Sequence, residues 1–221
     1  MKSRPSSPTA TPAPRSRRQA AVVLLVLTGI LVLAGCRMGG ATADPTPHAS
    51  DTGTSEFSSL DEAGVDRIRQ TKIARLDMTS GWLEKASVGV AQASNGPEVN
   101  TRGSGKIELT IVAPNGEITG ESDRIRFNTT DSRTDFSEVT YFLTAGSLDE
   151  FASLIRDGVE RYGIDSVVAE RWISSMERHP EDKSDYSVTS GTSTGLEVNY
   201  DLRYDGTKDI QVIIVHVWPL D

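Results

Sequence analysis

Leu196-Glu197-Val198-Asn199-Tyr200-Asp201-Leu202-Arg203, then Asp205-Gly206, then Ile210-Gln211-Val212-Ile213-Ile214-Val215-His216-Val217-Trp218 is the stretch that decides the fold. Leu196, Val198, Tyr200 and Leu202 alternate with Glu197, Asn199, Asp201 and Arg203. A period of two is that of a strand with one dry face and one wet face. Asp-Gly is a turn dipeptide, and an apolar β-branched run returns after it, so the segment reads as a β-hairpin. Its register matters, since a slip of one residue exchanges the two faces of a strand. A three-residue loop, Tyr204-Asp205-Gly206, sets the Leu196/Val198/Tyr200/Leu202 face against Ile210, Val212 and Ile214, with His216 at the rim of that apolar face. A four-residue loop instead opposes His216 to Glu197. The first register buries more apolar area and is the expected one.

The same alternation recurs upstream. Ile107, Leu109, Ile111 and Ala113 alternate with Lys106, Glu108 and Thr110, and Pro114-Asn115-Gly116 supplies a turn. A return strand is expected over about Glu117 to Phe127, another over about Glu138 to Thr144, and one at Tyr186–Ser190. Ser59-Leu60-Asp61-Glu62 and Ser147-Leu148-Asp149-Glu150 are identical, and each has the form of a capping box. They predict helices over about 59–76 and 148–162, the second bearing Leu148, Phe151, Leu154, Ile155, Val159 and Tyr162 at helical spacing and ending at Gly163. Asp165 caps a third helix that closes at His179-Pro180. Helix, strands, two helices, strands is the order of an α+β domain. The expected architecture is an antiparallel sheet of about five to seven strands built from hairpins. An N-terminal helix and a central helix pair pack on it.

The N-terminus has a different character. Lys2, Arg4, Arg15, Arg17 and Arg18 precede an uncharged run from Ala20 to Ala34, 15 residues long. Such a run spans about 22 Å as a helix, short against the ~30 Å hydrocarbon core and suited to the apolar core of a signal peptide. Leu33-Ala34-Gly35-Cys36 follows and contains the single cysteine of the chain. This combination resembles the lipobox of bacterial lipoproteins. The resemblance implies that residues 1–35 are a cleaved signal peptide, that Cys36 is the lipid attachment residue, and that the protein is held at the extracytoplasmic face of the cell membrane. Ser16-Arg17-Arg18-Gln19 also resembles the start of a twin-arginine export signal, although two alanines follow where bulkier residues are preferred; general secretion is the favoured route. With its one cysteine used for lipid, the mature chain has no internal disulfide.

Residues 37–58 are Gly, Ala, Thr, Pro, Ser and Asp with little apolar content, the composition of a flexible linker, and include His48. Residues 59–221 are expected to form a single α+β domain. Setting aside the five basic residues of the leader, the remainder carries 18 basic and 31 acidic residues, a formal net charge of −13. That surface repels phosphate, so nucleic acid is excluded as a partner.

Candidate chemistry beyond Cys36 is sparse. Gly191-Thr192-Ser193-Thr194-Gly195 matches the nucleophile elbow G-x-S-x-G, and Asp201, Asp205, Asp209 and His216 follow it. An elbow opens a helix, whereas an alternating strand follows here, so a hairpin loop is the better reading. Glu197 and His216 form an acid–base pair only in the four-residue register. His48, His179 and His216 are scattered, and no zinc spacing exists. Asp205-Gly206-Thr207-Lys208-Asp209 lacks the ligand alternation of a calcium loop. No catalytic residue, cofactor or metal is assigned. Trp82, Trp172 and Trp218 are core residues or the lining of a ligand pocket. The expected function is a membrane-anchored, non-catalytic binding or accessory domain, with an envelope protein or a small apolar ligand as partner. The alternatives are a carrier of an apolar or lipid molecule and a serine-type hydrolase.

Overall fold

A computed structural model describes residues 56–221 apart from 94, 209 and 221. The leader, Cys36, His48 and most of the 36–58 linker lie outside the described residues. The described chain runs α1 (Glu62–Thr71), β1 (Ile73–Asp77), β2 (Leu83–Glu84), β3 (Glu98–Asn100), β4 (Ile107–Ala113), β5 (Gly116–Ser122), β6 (Arg124–Asn128), β7 (Asp135–Phe136), β8 (Glu138–Thr144), α2 (Leu148–Tyr162), α3 (Ser166–Arg178), β9 (Lys183–Ser187), β10 (Glu197–Asp205) and β11 (Ile210–Trp218). It is an α+β domain. Six strands form a fully antiparallel sheet in the order β3-β6-β8-β11-β10-β9. A smaller sheet, β1-β4-β5, and a two-strand ribbon, β2-β7, complete it.

The central helices follow their expected signals. Ser147 Oγ accepts the Glu150 amide at the start of α2, and Gly163 closes it at φ +75°. Asp165 accepts the Val168 amide at the start of α3. Glu150 departs from the capping-box form, for its carboxylate accepts from the Gly146 amide rather than from Ser147.

The first helix is shorter than its sequence predicts. Asp61, not Ser59, is the N-cap, accepting the Gly64 amide at 2.7 Å. Lys72 at φ +61° stops the helix in the left-handed conformation, and Ile73 and Leu76 enter β1. β1 pairs in parallel with β4, Ala74 opposite Leu109, a long-range pairing for which local hairpin signals have no cue. Glu56 to Ser58 already belong to the folded part. The Ser58 amide donates to the Arg75 carbonyl, and the Arg75 guanidinium lies over the Phe57 ring.

The strand expected from Glu117 to Phe127 breaks at Asp123 into β5 and β6, which belong to different sheets. Buried Ser122 makes the transfer. Its Oγ accepts the amides of Arg124 and Phe142 and donates to the Arg124 carbonyl. Backbone groups that lose their ladder partners at the break are thus satisfied by one hydroxyl, as buried polar groups require.

One face of the six-stranded sheet is covered. The β5 backbone comes so close at Gly120 that an added Cβ would lie 2.7 Å from the Tyr141 ring. Helix α2 comes equally close at Gly158, where a Cβ would lie 2.6 Å from Tyr200. Phe151, Trp172 and Tyr204 pack in tilted and edge-to-face contacts, ring centroids 5.5–6.1 Å apart, between the helices and the sheet, and Trp172 Nε1 donates to Ser184 Oγ. Trp172 is therefore core.

The 196–218 hairpin adopts neither expected pairing. Four residues separate β10 from β11, and Tyr200 lies opposite Val215, Leu202 opposite Ile213 and Val198 opposite Val217. Val198, Tyr200, Leu202, Ile213, Val215 and Val217 form the buried face, while Val212, Ile214, His216 and Trp218 point the other way. The three-residue loop would have placed His216 where Val217 or Val215 now packs. Burying an aliphatic side chain stabilises by about 1.5–3 kcal/mol, whereas an imidazole there would need a buried partner.

Gly158→Ala tests how closely helix and sheet approach. Its helix-propensity gain is about 1 kcal/mol, and an overpacked core costs about 1–3 kcal/mol. We expect a net fall in the thermal midpoint, at about 2–4 °C per kcal/mol. A rise measured by circular dichroism would show that α2 stands farther from Tyr200.

Candidate functional site

Among the described residues α2 and α3 pack on the Tyr200 face of the six-stranded sheet, and the side chains of the other face follow from the register. Cross-strand neighbours on one face approach to about 4.5–5.5 Å. His216 lies opposite Thr140 of β8 on one side and Asn199 of β10 on the other. Two residues along β8, Glu138 reaches His216. Its Oε1 is hydrogen-bonded to His216 Nδ1, Thr140 Oγ1 donates to Oε1 at 2.9 Å, and Asn128 Nδ2 donates to Oε2 at 2.7 Å. Burial is the largest single influence on the Glu138 carboxyl and opposes its ionisation. The hydrogen bonds from His216, Asn128 and Thr140 together outweigh it, so the group titrates below the ordinary glutamate range.

The imidazole is also a shelf. Trp218, two residues on and on the same face, stacks on His216 with ring centroids 5.3 Å apart and planes within 7°. This offset-stacked geometry is the favourable one for aromatic pairs. Beside Trp218 lies a depression of about 400 Å³ lined by Trp82, Arg133, Ser137, Glu197, Trp218 and Pro219. Trp82 and Arg133 come from segments flanking the β2–β7 ribbon. That ribbon is held by Lys85, a buried lysine whose Nζ donates to the carbonyls of Gln92 and Thr130 at 2.8 and 3.0 Å. Arg133 forms a two-point pair with the Asp135 carboxylate, at 3.1 and 2.8 Å. Glu197 lies directly across from Trp218.

Farther along the same face, the guanidinium of Arg124 sits 3.9 Å from the Phe142 ring centroid and that of Arg126 5.6 Å from it. Arg126 also pairs with Glu98 at 2.7 Å and holds that carboxyl below its usual range.

A second depression, about 290 Å³, lies on the other side of the sheet between α2 and β5. Lys106, Glu121, Glu150, Asp157 and Arg161 are among its walls. Arg161 is occupied by Asp157 and Thr119.

The residues singled out by sequence are dispersed. Ser193 is exposed at the C-terminal end of α2, its amide donating to the Tyr162 carbonyl. The 191–195 segment opens no helix; Gly191 bridges to Val198 and leads into β10. His216 stands on the opposite face of the sheet. Glu197 is two residues out of register with His216, whose carboxylate partner is Glu138. Asp205 to Lys208 form the hairpin turn, with Thr207 Oγ1 and the Lys208 amide bonded back to Asp205. Among the described residues no three His, Cys, Asp or Glu side chains are grouped to hold a metal ion. Of the three tryptophans, Trp82 and Trp218 meet at one depression. Glu138 escaped the sequence reading because 78 residues separate it from His216. Arg133 escaped it because two-residue strands show no periodicity.

No family model, curated protein or solved structure matches this chain.

Because the Glu138 carboxyl titrates below its unfolded value, the stability it contributes is present above the ordinary glutamate pKa, about 4.3. That stability is lost as pH falls through the lower folded value. Glu138→Gln removes charge-assisted hydrogen bonds worth about 1.5–3 kcal/mol each. The variant should have a lower urea midpoint at neutral pH and a shallower decline between about pH 5 and pH 2 than the parent. Parallel declines in the two proteins would show that Glu138 carries no linkage.

Proposed function

We propose that this chain is a bacterial membrane lipoprotein, attached through Cys36 at the extracytoplasmic face, whose folded domain binds a partner or ligand rather than transforming one. The observation that carries the binding role is the sheet face opposite α2, where His216 and Glu138 brace Trp218 beside a depression with aromatic and polar walls. A rigid aromatic side chain over a concave site supplies contact area at little conformational cost.

The groups on this face are engaged in holding one another. His216 Nδ1 is bound to Glu138 and its ring to Trp218. The elbow-like serine lies on the far side of the sheet. Where an apolar carrier would hold its cargo, between helices and sheet, Phe151, Ile155, Trp172, Tyr200 and Tyr204 are buried, and the depression beside α2 has Lys106, Glu121, Glu150, Asp157 and Arg161 among its walls.

The anchor reading rests on the Leu33-Ala34-Gly35-Cys36 motif behind its apolar run. One acyl chain gives marginal, reversible binding, and two give stable attachment. A diacylglyceryl thioether at Cys36 therefore suffices to hold the acidic domain at the bilayer surface.

In a bacterial host, the parent chain should incorporate labelled palmitate, sediment with membranes and begin at residue 36 by mass spectrometry. Cys36→Ala should abolish the label and leave the unprocessed leader in place. Label retained in the variant, or an intact leader in the parent, overturns the anchor. Pull-down from crosslinked envelopes tests binding separately, the expected result being a partner that is lost on Trp218→Ala.

A further inference from the structure

The depression at Trp218 constrains what it can hold. Its volume, about 400 Å³, lies within the range of small-ligand sites, about 300–1,000 Å³. Two indoles and Pro219 supply flat apolar surface, while Arg133 can donate hydrogen bonds, and Glu197 and the Ser137 oxygen, whose hydrogen goes to the Asn128 carbonyl, can accept them. A purely apolar ligand would strip water from Arg133 and Glu197 without replacing its hydrogen bonds. An anionic ligand would meet Glu197 and a domain rich in acidic residues, while the Arg133 charge is already matched by both oxygens of Asp135. A cationic ligand would suit the indoles and Glu197, but would offer no acceptor to the guanidinium donors of Arg133.

What remains is an uncharged molecule with a flat C–H face and a rim of groups that both donate and accept hydrogen bonds. A pyranose ring has this form. Its C–H faces carry slight positive charge and match the negative face of an aromatic ring. Each hydroxyl can accept from the arginine on one side and donate to the serine oxygen or the carboxylate on the other. The Glu138–His216 pair then has a specific task. By fixing the plane of His216 it fixes Trp218, so that a sugar meets a stacking surface already ordered.

We propose that the Trp82–Trp218 depression is a saccharide-binding site that takes neutral pyranose rings. The inference rests on the binding role above and names its ligand chemistry. Trp82 and Trp218 stack on the sugar, Arg133, Ser137 and Glu197 meet its hydroxyls, and Glu138 and His216 act as positioning residues.

The test is an array of neutral oligosaccharides, with uronate-bearing glycans and choline as charged controls. It is probed with the full chain in a zwitterionic detergent, because maltoside detergents are themselves sugars. Saturable binding to neutral pyranosides is expected, and Trp218→Ala should weaken it at least about tenfold. Trp82→Ala, a substitution of an exposed side chain, should weaken it as well and serves if the first variant fails to fold. Glu138→Gln should weaken binding while every sugar contact is retained. No binding to any neutral glycan, binding only to the charged controls, or affinity unchanged in the folded tryptophan variants overturns the inference. A chain that takes up palmitate and captures an envelope protein yet ignores the array sinks the saccharide site alone and leaves the binding role standing.

Discussion

The pairing of Tyr200 with Val215 settles which side of the sheet each residue of the last two strands occupies. With that register Ile213, Val215 and Val217 complete the core under α2, and His216 and Trp218 go to the opposite face. A shift by one residue would bring the imidazole into the core and turn three aliphatic side chains out to water. The difference is several kcal/mol at about 1.5–3 kcal/mol per buried aliphatic side chain. That is comparable to the whole stability of a typical domain, about 5–15 kcal/mol. The hairpin is therefore held in place by the core, and the composition of the opposite face is a by-product of core packing.

That face is organised as a series of mutually supporting contacts. Asn128 and Thr140 orient Glu138, Glu138 orients His216, and His216 carries Trp218. Three strands, β6, β8 and β11, each contribute a member. The buried Lys85 performs a related service for the opposite wall of the depression, where its ammonium ties two loops through their carbonyls. Both walls of the candidate site thus stand on polar groups with satisfied partners, which favours a fixed shape over an adaptable one.

Elements with strong local signals were legible in the sequence. The strands Ile107–Ala113 and Glu138–Thr144, the helices capped by Ser147 and Asp165, and the Gly163 terminus all rest on interactions within a few residues. What the sequence concealed is long-range. Ile73 and Leu76 fit a helix by spacing, and only their pairing with β4 makes them a strand. The break at Asp123 depends on Ser122 meeting Phe142 across two sheets. In the candidate site Trp82, Trp218, His216 and Glu197 were visible as residues, but their grouping was not. It depends on a hairpin register that the core decides and on a glutamate from a strand that pairs with β11 only after folding.

Strand β11 comes after every other strand in chain order, yet it lies inside the sheet between β8 and β10. While a ribosome is still adding residues before 210, β8 and β10 each present an open edge, and the residues that will meet Phe151 and Tyr141 have no completed sheet to pack on. Non-local strand pairing of this kind is slow and leaves exposed edges in the meantime. Synthesis therefore runs nearly to residue 218 before the six-stranded sheet can close.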